Sequence, residues 1–102
     1  MRTVVPTSPP ADPLVTDAPA LGAAIRAART GARVTVLEAA AAIGVSRQTM
    51  VNIETGKGAV ALPIVLRAAA ELGVTLFAVS SADRDLVRRA ILNTRRGAGD
   101  GA

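Results

Sequence analysis

The sequence predicts an all-α domain of four to five helices, with a short C-terminal strand and an additional terminal helix after it. Apolar residues recur at helical spacing from residue 20 onward, and glycines fall at the ends of these periodic stretches. Ser or Thr stands before several of them, where a hydroxyl caps the orphan amides of a first turn. The 102 residues suffice for one modest core with tails and not for two.

Residues 1–19 hold five of the six prolines together with Ser, Thr and Asp, and read as a disordered arm. The arm sets Arg2 against Asp12 and Asp17, and no binding role is assigned to it. A first helix is expected over about Ala20–Thr30, with Leu21, Ala24, Ile25 and Ala28 inward and Gly31 near its end. The second spans about Val36–Ile43, capped by Thr35, with Glu38 three residues on completing a capping box. It breaks at Gly44, where the chain needs a left-handed backbone that glycine adopts cheaply. Ser46 caps the third helix, which runs to about Thr55 and stops at Gly56. Ala39, Ala40, Ile43, Val45, Met50 and Ile53 fall where these two helices face each other and the core.

After the loop from Lys57 to Ala61, a fourth helix is expected over about Leu62–Leu72, with Pro63 tolerated in its first turn. Its residues Leu62, Val65, Leu66, Ala69 and Leu72 are expected to close the core, and Gly73 ends it. The segment Val74–Ser80, VTLFAVS, is rich in branched and aromatic residues and reads as a short strand. A lone strand in a helical chain finds its partner in a second copy across a twofold axis, with Val74, Leu76, Phe77 and Val79 as dimerisation residues. The alternative is a coil whose Leu76 and Phe77 cap the core. Ser81 caps a final helix over about Ala82–Asn93, with Leu86, Val87, Ala90 and Ile91 apolar and the arginines opposite. The organisation is an arm (1–19), a helix-turn-helix domain (20–74), a strand and helix for dimerisation or partner binding (75–94), and a flexible basic tail (95–102).

Without His, Cys, Tyr or Trp, the chain lacks the usual general bases, soft metal ligands and thiolate nucleophiles. An enzyme is not expected, and neither a cofactor nor a metal site is expected. The single aromatic, Phe77, leaves an aliphatic core whose stability is modest or shared with a partner chain. No run approaches a membrane span, and the first residues lack a signal peptide's charged start and apolar centre, so the chain is expected to stay inside the cell.

The net charge of +4 suits a polyanionic partner. Arg26, Arg29, Arg33, Arg47 and Lys57 stand against Glu38 and Glu54, and a second cluster, Arg84, Arg88, Arg89, Arg95 and Arg96, follows near the end. Helix geometry places Arg47, Gln48, Val51, Asn52 and Thr55 on one outward strip. A guanidinium pairs with two acceptors of guanine and a carboxamide pairs with adenine, so the strip suits the major groove of duplex DNA. Single strands and RNA fit less well, because their modules stack bases on several aromatics.

At LGAAIRAARTGARVT, VLEAAAAIGVSRQTMVNIETGK and LPIVLRAAAELGV the chain resembles the lambda-repressor and Cro-like family, also called the XRE family. The resemblance covers about Leu21–Val74. It implies a bacterial or phage DNA-binding regulator in the cytoplasm, associated with the nucleoid. It also implies a homodimer and a palindromic operator whose half-sites lie about one helical turn apart. Carried over, the base-reading positions are Arg47, Gln48, Val51 and Asn52, and the phosphate positions are Ser46, Thr49, Thr55 and Lys57. Arg29 and Glu54 occupy the places of the family's structural ion pair. Two positions depart from the pattern: Val36 stands where a phosphate-holding glutamine is common, and the loop after Lys57 reads Gly58, Ala59, Val60 without a second basic residue. VTLFAVSS is similar to the strand of the HipB-like antitoxins, which implies either a protein toxin partner with autoregulation of the operon, or a stand-alone repressor of the same fold.

Overall fold

The computed structural model describes the backbone of residues 3–100 and the side chains of residues 3–97. Arg2 and the last two residues of the expected tail lie outside that range. Five helices are present, α1 (Ala18–Gly31), α2 (Val36–Ile43), α3 (Arg47–Thr55), α4 (Leu62–Glu71) and α5 (Arg84–Asp100), and no strand occurs among the described residues. The chain divides into two units. One comprises the segment up to Pro10 with Val15–Thr75, the other Ala11–Leu14 with the chain from Leu76 onward.

α1 starts before the expected boundary because Asp17 caps it, its carboxylate accepting from the amide of Ala20 at 2.9 Å, and Pro19 fits the first turn. Beyond its end the left-handed residue is Arg33, at φ 62°, rather than a glycine. That conformation costs roughly 1–2 kcal/mol for a residue with a side chain. The Arg33 guanidinium donates to the carbonyl of Val4 at 2.7 Å. Thr7 donates its amide to Thr30 Oγ1 at 2.9 Å. Residues 4–7 therefore lie along the end of α1, where composition alone reads as disorder.

α2 carries a complete capping box: Thr35 Oγ1 accepts from the Glu38 amide at 3.1 Å, and the Glu38 carboxylate accepts from the Thr35 amide at 2.9 Å. The Thr35 backbone amide, and after it the Thr35 side chain, hydrogen-bond the Glu38 carboxylate and lower its pKa from the ordinary value. Gly44 ends α2 in the left-handed region at φ 84°, its amide donating to Ala40, and Ser46 opens α3 two residues later. This short turn sets the angle between the helices.

The core gathers Ile25, Ala39, Ala40, Ile43, Met50, Ile53, Ala68 and Ala69, with α1 packed on α3 and α2 packed on both α3 and α4. Expected inner residues Leu62 and Leu66 are instead 64% and 44% exposed, while Ile64 and Ala68 turn inward. The small Ala68 and Ala69 meet the alanines of α2, so close packing rotates the bulkier leucines outward. Arg67 donates to the carbonyl of Ile43 at 3.2 Å, satisfying an acceptor near the end of α2.

The expected strand over Val74–Ser80 is absent. Its branched residues favour extended backbone, but a strand exists only through ladder bonds, and no partner segment pairs with it. Val74 instead packs against the core. The last helix is not capped by Ser81. A turn closes from the Asp83 amide to the Ser80 carbonyl at 3.0 Å, and the Asp83 carbonyl accepts from Val87 at 3.1 Å. Past Asn93 the helix continues to Asp100, since extending an existing helix needs no new nucleus.

α1 crosses α3 at Gly22. A Cβ there would collide with the carbonyl oxygens of Ile53 and Glu54, backbone atoms that cannot give way. Gly22→Ala is expected to destabilise the fold by about 1–3 kcal/mol, read as a lower urea midpoint at unchanged m.

Candidate nucleic-acid interface

α3 is held from behind. Arg29 on α1 and Glu54 on α3 are both buried, their side chains 8% and 6% exposed. The guanidinium engages both carboxylate oxygens, Nε with Oε2 and Nη2 with Oε1, the latter at 3.0 Å. Its remaining Nη1 donates to the Val34 carbonyl at 2.8 Å, and no buried polar side-chain atom among the described residues lacks a partner. One side chain thus ties α1, α3 and the turn before α2 together. Met50 and Ile53, buried with Glu54, hold the same face of α3 against the core.

The opposite face is open. Arg47, Gln48 and Thr55 are exposed, while Val51 and Asn52 are half-buried at the border of the strip. Gln48 Nε2 donates to Asn52 Oδ1 at 3.0 Å, one helical turn apart. The pair therefore still presents a Gln48 carbonyl as acceptor and an Asn52 amide as donor. Arg47 makes no ion pair or side-chain hydrogen bond among the described residues. Thr55 spends its hydroxyl proton on the carbonyl of Val51 at 2.9 Å and keeps its lone pairs.

At the start of α3, Ser46 Oγ accepts from the Thr49 amide at 3.0 Å and donates to Thr49 Oγ1 at 2.9 Å. Both hydroxyls are ordered beside the helix N-terminus, where amides and the helix dipole favour anions. Lys57 lies exposed beyond the other end, in a shallow cleft with Ala18, Leu21, Asn52 and Gly58. A mostly exposed side of one short helix, polar along its length and flanked by a hydroxyl pair and an ammonium, is chemically a hydrogen-bonding surface for a polyanion.

Residues 20–79 match the model of a family described as a helix-turn-helix domain, well over half of the chain. The chain belongs to the helix-turn-helix domain family. That family falls within the lambda-repressor-like clan, whose typical function is DNA binding without enzymatic activity. No curated protein matches the sequence. No helix among the described residues is long and apolar enough to cross a membrane.

In this helix-turn-helix chain, sequence reasoning missed the Gln48–Asn52 tie, although i,i+4 spacing signals it, and the support that Arg67 gives α2. It also missed Gly22, whose place in the first-helix pattern carries no outward sign of a close crossing. Among the four residues expected at a dimer interface, Val74 is half-buried against the core, whereas Leu76, Phe77 and Val79 are exposed.

Arg29→Met alone strands the Glu54 carboxylate and is expected to cost about 3–5 kcal/mol. The double variant Arg29→Met, Glu54→Leu should recover most of that loss, as measured by urea unfolding.

Proposed function

We propose that this chain is a sequence-specific, double-stranded-DNA-binding transcriptional regulator, a cytoplasmic repressor that works as a homodimer by occupying a promoter. The carrying observation is the outer side of α3, where Arg47 and Gln48 are exposed and Val51 and Asn52 half-buried at its border, while Met50, Ile53 and Glu54 are buried on the other side. In the groove, Arg47 reads guanine through two bonds, and the Gln48–Asn52 pair offers adenine one acceptor and one donor. Val51 touches a thymine methyl. Ser46, Thr49, Thr55 and Lys57 contact phosphates, and Arg29 with Glu54 keeps the reading helix in place without touching DNA.

The second copy docks on the apolar residues Leu76, Phe77 and Val79. Phe77, the chain's only aromatic, is 77% exposed, in a protein whose core is otherwise small and aliphatic. Two reading helices related by a twofold axis call for a palindromic operator with half-sites about one turn apart. An antitoxin role with a protein toxin partner rested on a strand after α4, and without that strand no observation favours it over a stand-alone repressor.

Selection of bound fragments from random duplex DNA should yield a palindromic site. Arg47→Ala or Asn52→Ala should lower affinity for it by about 1–3 kcal/mol and relax its sequence, while Lys57→Ala weakens selected and random DNA alike. A folded variant with Arg47, Gln48 and Asn52 all replaced by Ala that keeps the wild-type footprint refutes the reading. For assembly, Phe77→Ser is expected to shift the sedimenting species from dimer to monomer. A wild-type chain that sediments as a monomer at every concentration rules out the dimer.

A further inference from the structure

We propose that the exposed arginines of α5, Arg89 and Arg96 on one face with Arg95 about 100° around the helix from Arg96, are a second and sequence-independent contact to the phosphate backbone of duplex DNA. The proposal rests on the DNA-binding reading of α3 and adds a separate surface to it.

Most cations of the described chain are already engaged or scattered. Arg29 is bound to Glu54, Arg33 to the Val4 carbonyl, Arg67 to the Ile43 carbonyl and Arg88 to Asp12. Among the described residues, the cations without such a side-chain bond are Arg26, Arg47, Lys57, Arg84, Arg89, Arg95 and Arg96, and four of these seven lie on α5. From Arg88 to Gly97 the helix carries four arginines and no acidic residue. The first turn of α2, with Val36, Leu37 and Glu38, supplies no cation, so the helix-turn-helix is thinly provided with phosphate partners.

The helix is also seated. Ala11–Leu14 belongs to the same unit as α5, and Asp12 accepts from Arg88 Nε at 2.9 Å. Val87, Arg88, Ile91 and Leu92 are half-buried, whereas Arg89, Arg95 and Arg96 are exposed. Arg89 and Arg96 are seven residues apart, so they share a face within about 20° and stand roughly 10.5 Å apart along the axis. Each strand of B-DNA presents a phosphate about every 3.4 Å of axis, so the two guanidinium groups reach different phosphates of one strand.

The chemistry favours duplex phosphate over other polyanions. α5 has no aromatic on which an unstacked base would rest. An acidic protein partner would look for large apolar anchors between the charges. The large apolar residues Val87, Ile91 and Leu92 are half-buried, and only Leu86 stands fully outward.

The test uses the full chain, with wild type compared to Arg89→Gln, Arg95→Gln, Arg96→Gln combined, and to the same three positions changed to Lys. Gln and Lys have similar helix propensity, so circular dichroism should find α5 equally helical in both. Binding to the selected duplex and to random duplex is followed across salt concentrations. The Gln variant should flatten the salt dependence by about 0.9 in log–log slope for each arginine that engages a phosphate. It should weaken both duplexes by the same factor, on the order of tenfold to a hundredfold near physiological salt, leaving their ratio unchanged. The Lys variant should restore the slope, because a phosphate accepts a point charge. An unchanged slope in a wild-type background that binds the selected duplex overturns the α5 contact and leaves the α3 reading standing, with an acidic protein or solvent then facing the arginines. A loss confined to the selected duplex overturns it too. A wild-type chain that binds no duplex overturns both.

Discussion

The orientation of α3 depends on a charge pair that no water reaches easily. Arg29 and Glu54 are buried together, joined by two hydrogen bonds, with the third arm of the guanidinium on the Val34 carbonyl. Burying two charges gains little net stability over an apolar pair, but their geometry admits one arrangement where methyl groups would admit several. In a core whose fully buried large side chains are Ile25 and Met50, shape alone constrains a helix weakly. The ion pair supplies direction, and the bare backbone at Gly22 supplies distance. Together they fix how far α3 stands from α1 and which way its outer residues face.

Much of this fold was legible because its signals are local. Thr35 with Glu38, Gly44, and Ser46 each act within four residues, so reading them needs no knowledge of the rest of the chain. Helical phase then separates Arg47 and Gln48 from Met50 and Ile53. α4 was harder, because Leu62, Leu66 and Ala70 form a second apolar arc beside the inward one. The choice between the arcs falls to the alanines of α2, which are small enough to draw Ala68 and Ala69 close. Bulk pointed one way and fit pointed the other.

Signals that depend on distant partners were not legible. Residues 74–80 have the composition of a strand, but a strand is a relation between two segments, and composition describes only one. The proline-rich start reads as disorder by the same logic. Its Thr7 meets Thr30 and its Asp12 meets Arg88, contacts separated by 23 and 76 residues. Proline restricts the unfolded chain as well as the folded one, so laying such a segment along a helix loses less conformational entropy than an ordinary segment would.

The bare contact at residue 22 separates the framework from the lettering. Because no side chain intervenes between α1 and the end of α3, exchanging the exposed Arg47 and Gln48 leaves the spacing of the two helices untouched. The outer residues of α3 are thus free to vary without disturbing the contact that spaces the two helices.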